Sequence, residues 1–356
     1  MLSVEFKIRI DFLLDTQHLA LITKKIMSTQ TPKSSNPASS SILSKLPPLT
    51  ILGPLAALLL SIIFFSLQSD RFLAGRNFSL IVQQVMVVGV LAIGQTLVVL
   101  TGGIDLSNGM VMALGQVVMT KFAMDFGMPP YLAILCGLLV TMGFGFLNGL
   151  LITRINLPPF IVTLGTLNIA FAITQIYSKA QTVSNLPDSM LLLGETFKIG
   201  ETAINYGSVL MLLLFLFVWF VLRDTAPGRH VYAVGNNAEA ARLNGIPSKR
   251  VLLIIYTLAG LMYGIAALLL VARTSVGDPN AGQTENLESI TAVVLGGTSL
   301  FGGRGNVLGT LIGALIVGVF RNGLTLIGVS SVYQILITGI LVILAVTTDQ
   351  LSRRKG

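Results

Sequence analysis

The stretch Ser79–Gly109, SLIVQQVMVVGVLAIGQTLVVLTGGIDLSNG, decides the fold. Residues 79–100 carry no charge and are long enough to cross a hydrocarbon layer of about 30 Å as a helix. Immediately beyond them stand Gly102, Gly103 and Asp105. A carboxylate inside an apolar chain costs about 2.5–3.5 kcal/mol on insertion scales, so Asp105 must face protein, water or unpaired helix-end amides. The glycines allow one helix to stop there, and the next helix then starts with free N–H groups that Asp105 or Ser107 can cap. Two roles suit Asp105: a cap that never meets a solute, or a residue lining a cavity.

The rest of the chain repeats the first part of this pattern. Hydrophobic residues make up 53% of it and charged residues only 11%, against about 25% charged in soluble domains. Apolar windows fall near 49–67, 79–100, 104–122, 130–152, 159–178, 206–222, 251–272, 289–300, 307–323 and 331–348. The eighth is too short to cross unaided. A β-barrel would show alternating segments of about 10 residues instead. The expected fold is therefore all-α, a polytopic transmembrane helical bundle of about ten spans with at least one broken or re-entrant segment. Placing the amino terminus inside puts 16 of the 23 Lys and Arg on the inner side and 7 on the outer, which predicts both termini in the cytoplasm.

Residues 1–48 read as a disordered cytoplasmic tail, rich in Ser and Pro in its second half. The composition upstream of Met27 leaves both Met1 and Met27 as translation starts, and no signal-peptide core precedes Met27. Residues 49–350 form the membrane domain, and 351–356 a basic cytoplasmic tail. The single cysteine, Cys136, excludes an internal disulfide and a cysteine metal site. Within the spans, Gly145 and Gly149, Gly260 and Gly264, and Gly309 and Gly313 have the spacing that brings helices close. The run GGTSLFGG at 296–303 loosely echoes the first break, which makes Gly296 and Gly297 candidates for a second one; internal duplication and the general abundance of small residues both account for the echo.

Residues 223–250, RDTAPGRHVYAVGNNAEAARLNGIPSKR, form a long basic loop on the predicted inner side. Asn236 and Asn237 are natural caps, and Gly245 and Pro247 natural stops, so a short surface helix follows from the local chemistry. Ala240, Ala241 and Leu243 give it an apolar side for another protein's groove, while Glu239 and Arg242 stay polar. A solvated basic loop that only sets topology is the alternative. On the outer side, loops 68–78, 179–205 and 273–288 offer Arg71 and Arg76 against a net acidic set that includes Asp188, Glu195, Glu201, Asp278, Glu285 and Glu288, beside Lys179, Lys198 and Arg273. Such charges steer a docking protein.

Glu-Ala-Ala followed three residues later by Gly resembles the loop by which permeases of ATP-binding-cassette (ABC) importers engage their ATPase. TGGIDLSNG, LPPFIVTLGTL, GRHVYAVGNNAEAARLNGI and AVVLGGTSLFGGRGNVLGTLIGAL together are similar to the ribose and monosaccharide branch, over roughly residues 50–350. Asn108 departs from the pattern, where many relatives have Val. The resemblance implies a bacterial inner-membrane permease paired with a second permease subunit, identical or paralogous. It also implies a cytoplasmic ABC ATPase that holds ATP-Mg and an extracytoplasmic sugar-binding protein. Coupling would fall on Gly228, Arg229, Glu239, Ala240, Ala241, Arg242 and Gly245, and the translocation path or helix breaks on Gly102, Gly103, Asp105, Ser107, Gly296 and Gly297. Docking would involve Arg71, Arg76, Asp278, Glu285 and Glu288.

No GxxxxGK[ST] phosphate loop is present, so ATP hydrolysis belongs to another chain, and this one needs no cofactor or metal of its own. Neither H-E-x-x-H nor a nucleophile elbow occurs, and the two histidines, His18 and His230, form no cluster, which counts against a membrane enzyme. A self-powered transporter would need ionisable residues within its spans, where Asp105 is the one strong candidate. Other solutes open to a related permease are a nucleoside, a cyclic polyol or a signalling furanose. The net charge of +8 follows from the inner loops and implies no nucleic acid.

Overall fold

Prolines and glycines punctuate the apolar runs and fix where each helix begins. The structure is a computed structural model describing residues 49–354 apart from Glu201; the tail at 1–48 with its two start codons, and residues 355–356, lie outside the described residues. In chain order the helices are α1 (Leu49–Gln68), α2 (Gly75–Leu100), α3 (Asn108–Asp125), α4 (Pro130–Arg154) and α5 (Pro159–Ser178). Then come the single turn α6 (Asp188–Leu191), strands β1 (Thr196–Ile199) and β2 (Thr202–Asn205), and α7 (Tyr206–Asp224). Helices α8 (Ala226–Asn236), α9 (Ala238–Leu243), α10 (Ser248–Thr274), α11 (Glu285–Leu295), α12 (Val307–Leu326) and α13 (Ser331–Arg354) complete the chain. Pro130 and Pro159 stand at the first position of α4 and α5, where the missing N–H is harmless.

Each of the ten sequence windows contains one long or half-length helix. Six of these, α2, α4, α5, α7, α10 and α12, are long and apolar enough to cross a membrane. Helix α11 has 11 residues and rises only about 17 Å, so it is a half-span that ends inside the protein. Most helix ends shift by a few residues from the sequence reading, and three of the shifts have a visible cause. The third span starts at Asn108 rather than 104, because residues 101–107 form the break. The eighth covers Glu285–Leu295 rather than 289–300, because glycines 296 and 297 end it. The last helix runs on to Arg354, so the basic tail begins as helix.

Helix α2 is the hub, packed against α10, α11, α12 and α7. Its buried face runs without interruption from Val85 to Leu100. Helix α10 lies along α4 through the predicted glycines: a Cβ on Gly260 would stand 3.1 Å from Met142 Cα, and one on Gly264 2.9 Å from Leu138 Cδ2. Gly313 does the same between α12 and α11, 2.8 Å from the Ala292 carbonyl carbon. The outward faces of α4, α5 and α7 carry exposed Leu, Ile and Phe such as Leu139, Phe160 and Phe217. These are the faces a bilayer would cover.

Hydrogen bonds join the outer loops at one end of the bundle. Val183 and Gly277 exchange backbone bonds of 2.9 and 2.8 Å, Ala203 N donates to Ser79 Oγ at 2.9 Å, and Gln175 Nε2 to Pro279 O at 3.1 Å. The segment read as a plain loop at 179–205 thus holds a hairpin, in which Thr196 faces Asn205 and Ile199 faces Thr202, with Gly200 at φ +62° in its turn.

Candidate coupling and translocation site

The two glycine doublets end their helices in the same way. At α2, Gly102 N donates to Val99 O (2.9 Å) and Gly103 N to Val98 O (3.2 Å); at α11, Gly297 N donates to Val294 O (2.9 Å) and Thr298 N to Val293 O (3.1 Å). Gly102 and Gly297 occupy the left-handed position, at φ +79° and +82°. This is the hydrogen-bond pattern of a Schellman stop, which favours glycine there. The sequence echo therefore reports a shared helix stop. Beyond it the connections differ: α3 starts five residues after Gly103, and α12 nine after Thr298.

Five helices converge on the segment 104–108. Asp105 is fully buried, and its Oδ1 accepts from Ser107 N (2.8 Å) and Ser107 Oγ (2.6 Å) while Oδ2 accepts from Tyr263 Oη on α10 (3.1 Å). Asn148 of α4 donates to Ser107 Oγ (3.1 Å), Thr163 of α5 to Ile104 O (3.1 Å) and Asn286 of α11 to Leu106 O (2.6 Å). Asn108 Nδ2 donates to Gln95 Oε1 on α2 (3.1 Å) and Ser289 Oγ on α11 (2.8 Å). Asp105 thus holds the residue before α3 in an Asx turn, while Ser107, the N-cap itself, makes no side-chain cap bond. Gln95 and Asn148, polar residues within apolar spans, were the overlooked sequence signal for this network.

The segment that the sequence reading assigned to coupling is joined to both breaks. Gly303 N, in the loop after the second doublet, donates to Leu100 O at the end of α2 (2.9 Å). A Cβ on Gly235, in the last turn of α8, would lie 2.6 Å from Gly303 N, and one on Gly302 2.8 Å from both Gly102 Cα and Gly235 O. Tyr232 Oη donates to Gly305 O at 3.0 Å. The sequence reading expected one short helix here and missed α8, which contains Gly228 and Arg229. Its Gly, Pro and charged residues look like loop, and only Val231 and Val234 mark the buried side of its second half.

The short helix expected near Glu239 is α9. Asn237 rather than Asn236 caps it, accepting from Glu239 N (3.1 Å) and Ala240 N (2.9 Å). Gly245 follows at φ +84° with open space around it. Arg242 grips both carboxylate oxygens of Glu239 at 2.6 and 3.0 Å, and this bond holds the Glu239 carboxyl below the usual carboxylate range. Ala241 is buried within the chain, so it cannot be part of the outward apolar side; Ala240 and the 73% exposed Leu243 can.

The outer docking set needs a larger correction. Arg71 and Arg76 are exposed and Asp278 half-buried, as a docking rim requires. Glu285 and Glu288, however, are buried in the first turn of α11. Both oxygens of Glu288 lie 2.9 Å from Arg321 Nη1, and Glu285 Oε2 accepts from Gly282 N at 3.0 Å. The first turn of this half-span packs its two carboxylates against the chain itself, which leaves them nearly covered in the single subunit. Among the described residues no His, Cys, Asp and Glu cluster could hold a metal.

Comparison with known proteins agrees with this architecture. Residues 77–346 match the family described as branched-chain amino acid transport system / permease component. The chain is 47% identical to a fructose import permease of Rhizobium meliloti, over 85% of each chain. It is 40% identical to a ribose import permease of Bacillus subtilis, over 84% of this chain and 92% of that one. With a D-allose transport system permease of Escherichia coli it shares 34% identity, over 81% and 88%. With its apolar helices, glycine-stopped half-span and capped helix α9, the chain belongs to this family of multi-pass membrane permease components.

Proposed function

We propose that this chain is the membrane-spanning subunit of an ATP-driven, binding-protein-dependent importer for a monosaccharide, working as a pair with an identical or paralogous subunit. Relatives named for fructose import, ribose import and D-allose transport support a monosaccharide substrate. The observation that carries the mechanism is the junction of Gly235, Leu100 and Gly303, which links the inner-face segment to both helix stops. A separate cytoplasmic ATPase with ATP-Mg would press on α9. Helix α8, behind α9, would pass that displacement to the ends of α2 and α11, and the sugar would cross beside these two helices. The binding protein would deliver it to the outer end, at Arg71, Arg76 and Asp278. Lys and Arg placement supports cytoplasmic termini in a bacterial inner membrane.

Reconstitution into proteoliposomes with an ATPase and a sugar-binding protein that co-purify with it tests the reading. ATP-dependent accumulation of fructose, ribose or allose is expected. Uptake that proceeds without the ATPase under an ion gradient would instead make the chain a secondary transporter, and ATP-dependent uptake of a nucleoside or polyol alone would change the solute class.

A further inference from the structure

Where α7 leaves the apolar layer, an open cavity of about 310 Å³ is lined by Trp219, Arg223, Arg229, Tyr232, Gly305 and Asn306. Leu213, Leu216, Phe217 and Phe220 are exposed on α7, so lipid covers its flank up to the turn before Arg223. The Arg223 guanidinium sits over the Trp219 ring, 5.0 Å from its centroid, the pairing of aromatic and cation found at the edge of a bilayer. Its acidic neighbour Asp224 is 3.8 Å away, and the two side chains are 63% and 49% exposed, so that pair neutralises little. Arg229 is exposed and has no ion pair among the described residues. The opposite rim is the start of α12, whose Leu308 N is capped by Asn306 Oδ1 at 3.0 Å and whose N-terminal dipole adds positive potential. Tyr232 closes the wall through its bond to Gly305 O, and burial pushes its phenol pKa up, so it stays a neutral donor.

We propose that this cavity binds a phosphate group supplied by an anionic phospholipid, with Arg223 and Arg229 on the phosphate oxygens and Trp219 against the glycerol end of the acyl chains. Two guanidinium forks match phosphate geometry, and basic pockets between spans suit such headgroups. The lipid source, rather than free phosphate, follows from the apolar flank of α7 leading directly to the opening. Arg229, Tyr232 and Gly235 lie on one short helix, so the headgroup would steady α8 at the junction with the two helix stops.

Trp219 is the single tryptophan of the chain and reports on the site directly. The full-length protein is purified in detergent, and quenching of its fluorescence by brominated phosphatidylglycerol is compared with quenching by brominated phosphatidylcholine. Wild type should prefer the anionic lipid, and unlabelled phosphatidylglycerol should reverse the effect while inorganic phosphate does not. Arg229→Gln, which leaves the tryptophan and its stacked arginine in place, should weaken the preference several-fold, and Arg223→Gln with Arg229→Gln about tenfold. Arg250→Gln, on the same basic segment, should retain it. Equal quenching of wild type by both lipids would overturn the proposal, and so would an undiminished preference in folded double variant. Displacement by inorganic phosphate alone would make this a free-anion site and overturn the lipid assignment.

Discussion

Asp105 shows how much one residue type discloses. Its rarity in an apolar chain marked the break, and its neighbours glycine and serine supplied the turn; its bond to Tyr263, which lies 158 positions away, could not be read locally. Asp105→Asn keeps one oxygen to accept from Ser107, and its amide nitrogen can donate to Tyr263 Oη in place of the second carboxylate oxygen, so the variant should retain most of the fold. Asp105→Leu strands those donors, at about 1–3 kcal/mol for each buried group, and should lower the melting temperature markedly in detergent. Equal melting of the two variants would remove Asp105 from the support of the break. Gly245 is the opposite case, fully legible because helix stops are local. Nothing lies within 4 Å of its missing Cβ, so Gly245→Val suffers only the φ of +84°, about 1–2 kcal/mol of backbone strain. Expression and membrane insertion should be normal while ATPase co-purification falls; undiminished co-purification would show that α9 needs no glycine stop for docking.

At the scale of elements, apolar runs announced every span because burial in lipid depends on composition, whereas α8 and the inward turn of α11 depend on what packs against them. The sequence assigned Glu288 to the surface from its charge, and the half-span geometry buried it against Arg321. A carboxylate left buried without its partner costs about 3–5 kcal/mol; Arg321 is partly exposed, so Arg321→Met should fall at the lower end. Adding Glu288→Gln should restore most of the loss, since the pair is then removed together. Melting of the single and double variants gives the comparison, and purely additive losses would contradict a coupled buried pair. Glycine spacing predicted that helices approach closely at Gly145, Gly149, Gly260 and Gly264, and the packing of α4 on α10 came from the structure. Gly260→Leu should disrupt it by more than the roughly 1–3 kcal/mol of ordinary overpacking, because its Cβ would meet backbone rather than a movable side chain.

For the molecule as a whole, the ten-window plan survives with shifted ends, and the two ends of the bundle are built differently. The loops read as outer are tied to one another by backbone bonds, while the segment read as inner is tied to the helix stops through glycines. The central claim is that motion imposed on α9 reaches α2 and α11 through the Gly235 junction. That junction was invisible in sequence, since each glycine has many uses and only the convergence of Gly235, Gly302 and Gly303 on the end of α2 gives them a common one. Gly235→Ala drives one methyl group against the Leu100 carbonyl and to 2.6 Å from Gly303 N, so the backbone of the junction must shift, while α9 and the opposite face of the bundle are not touched directly. The decisive measurement is sugar taken up per ATP hydrolysed by the reconstituted complex carrying this variant. The account predicts that ATPase assembly and hydrolysis persist while the ratio falls severalfold; an unchanged ratio in fully assembled complexes would contradict it.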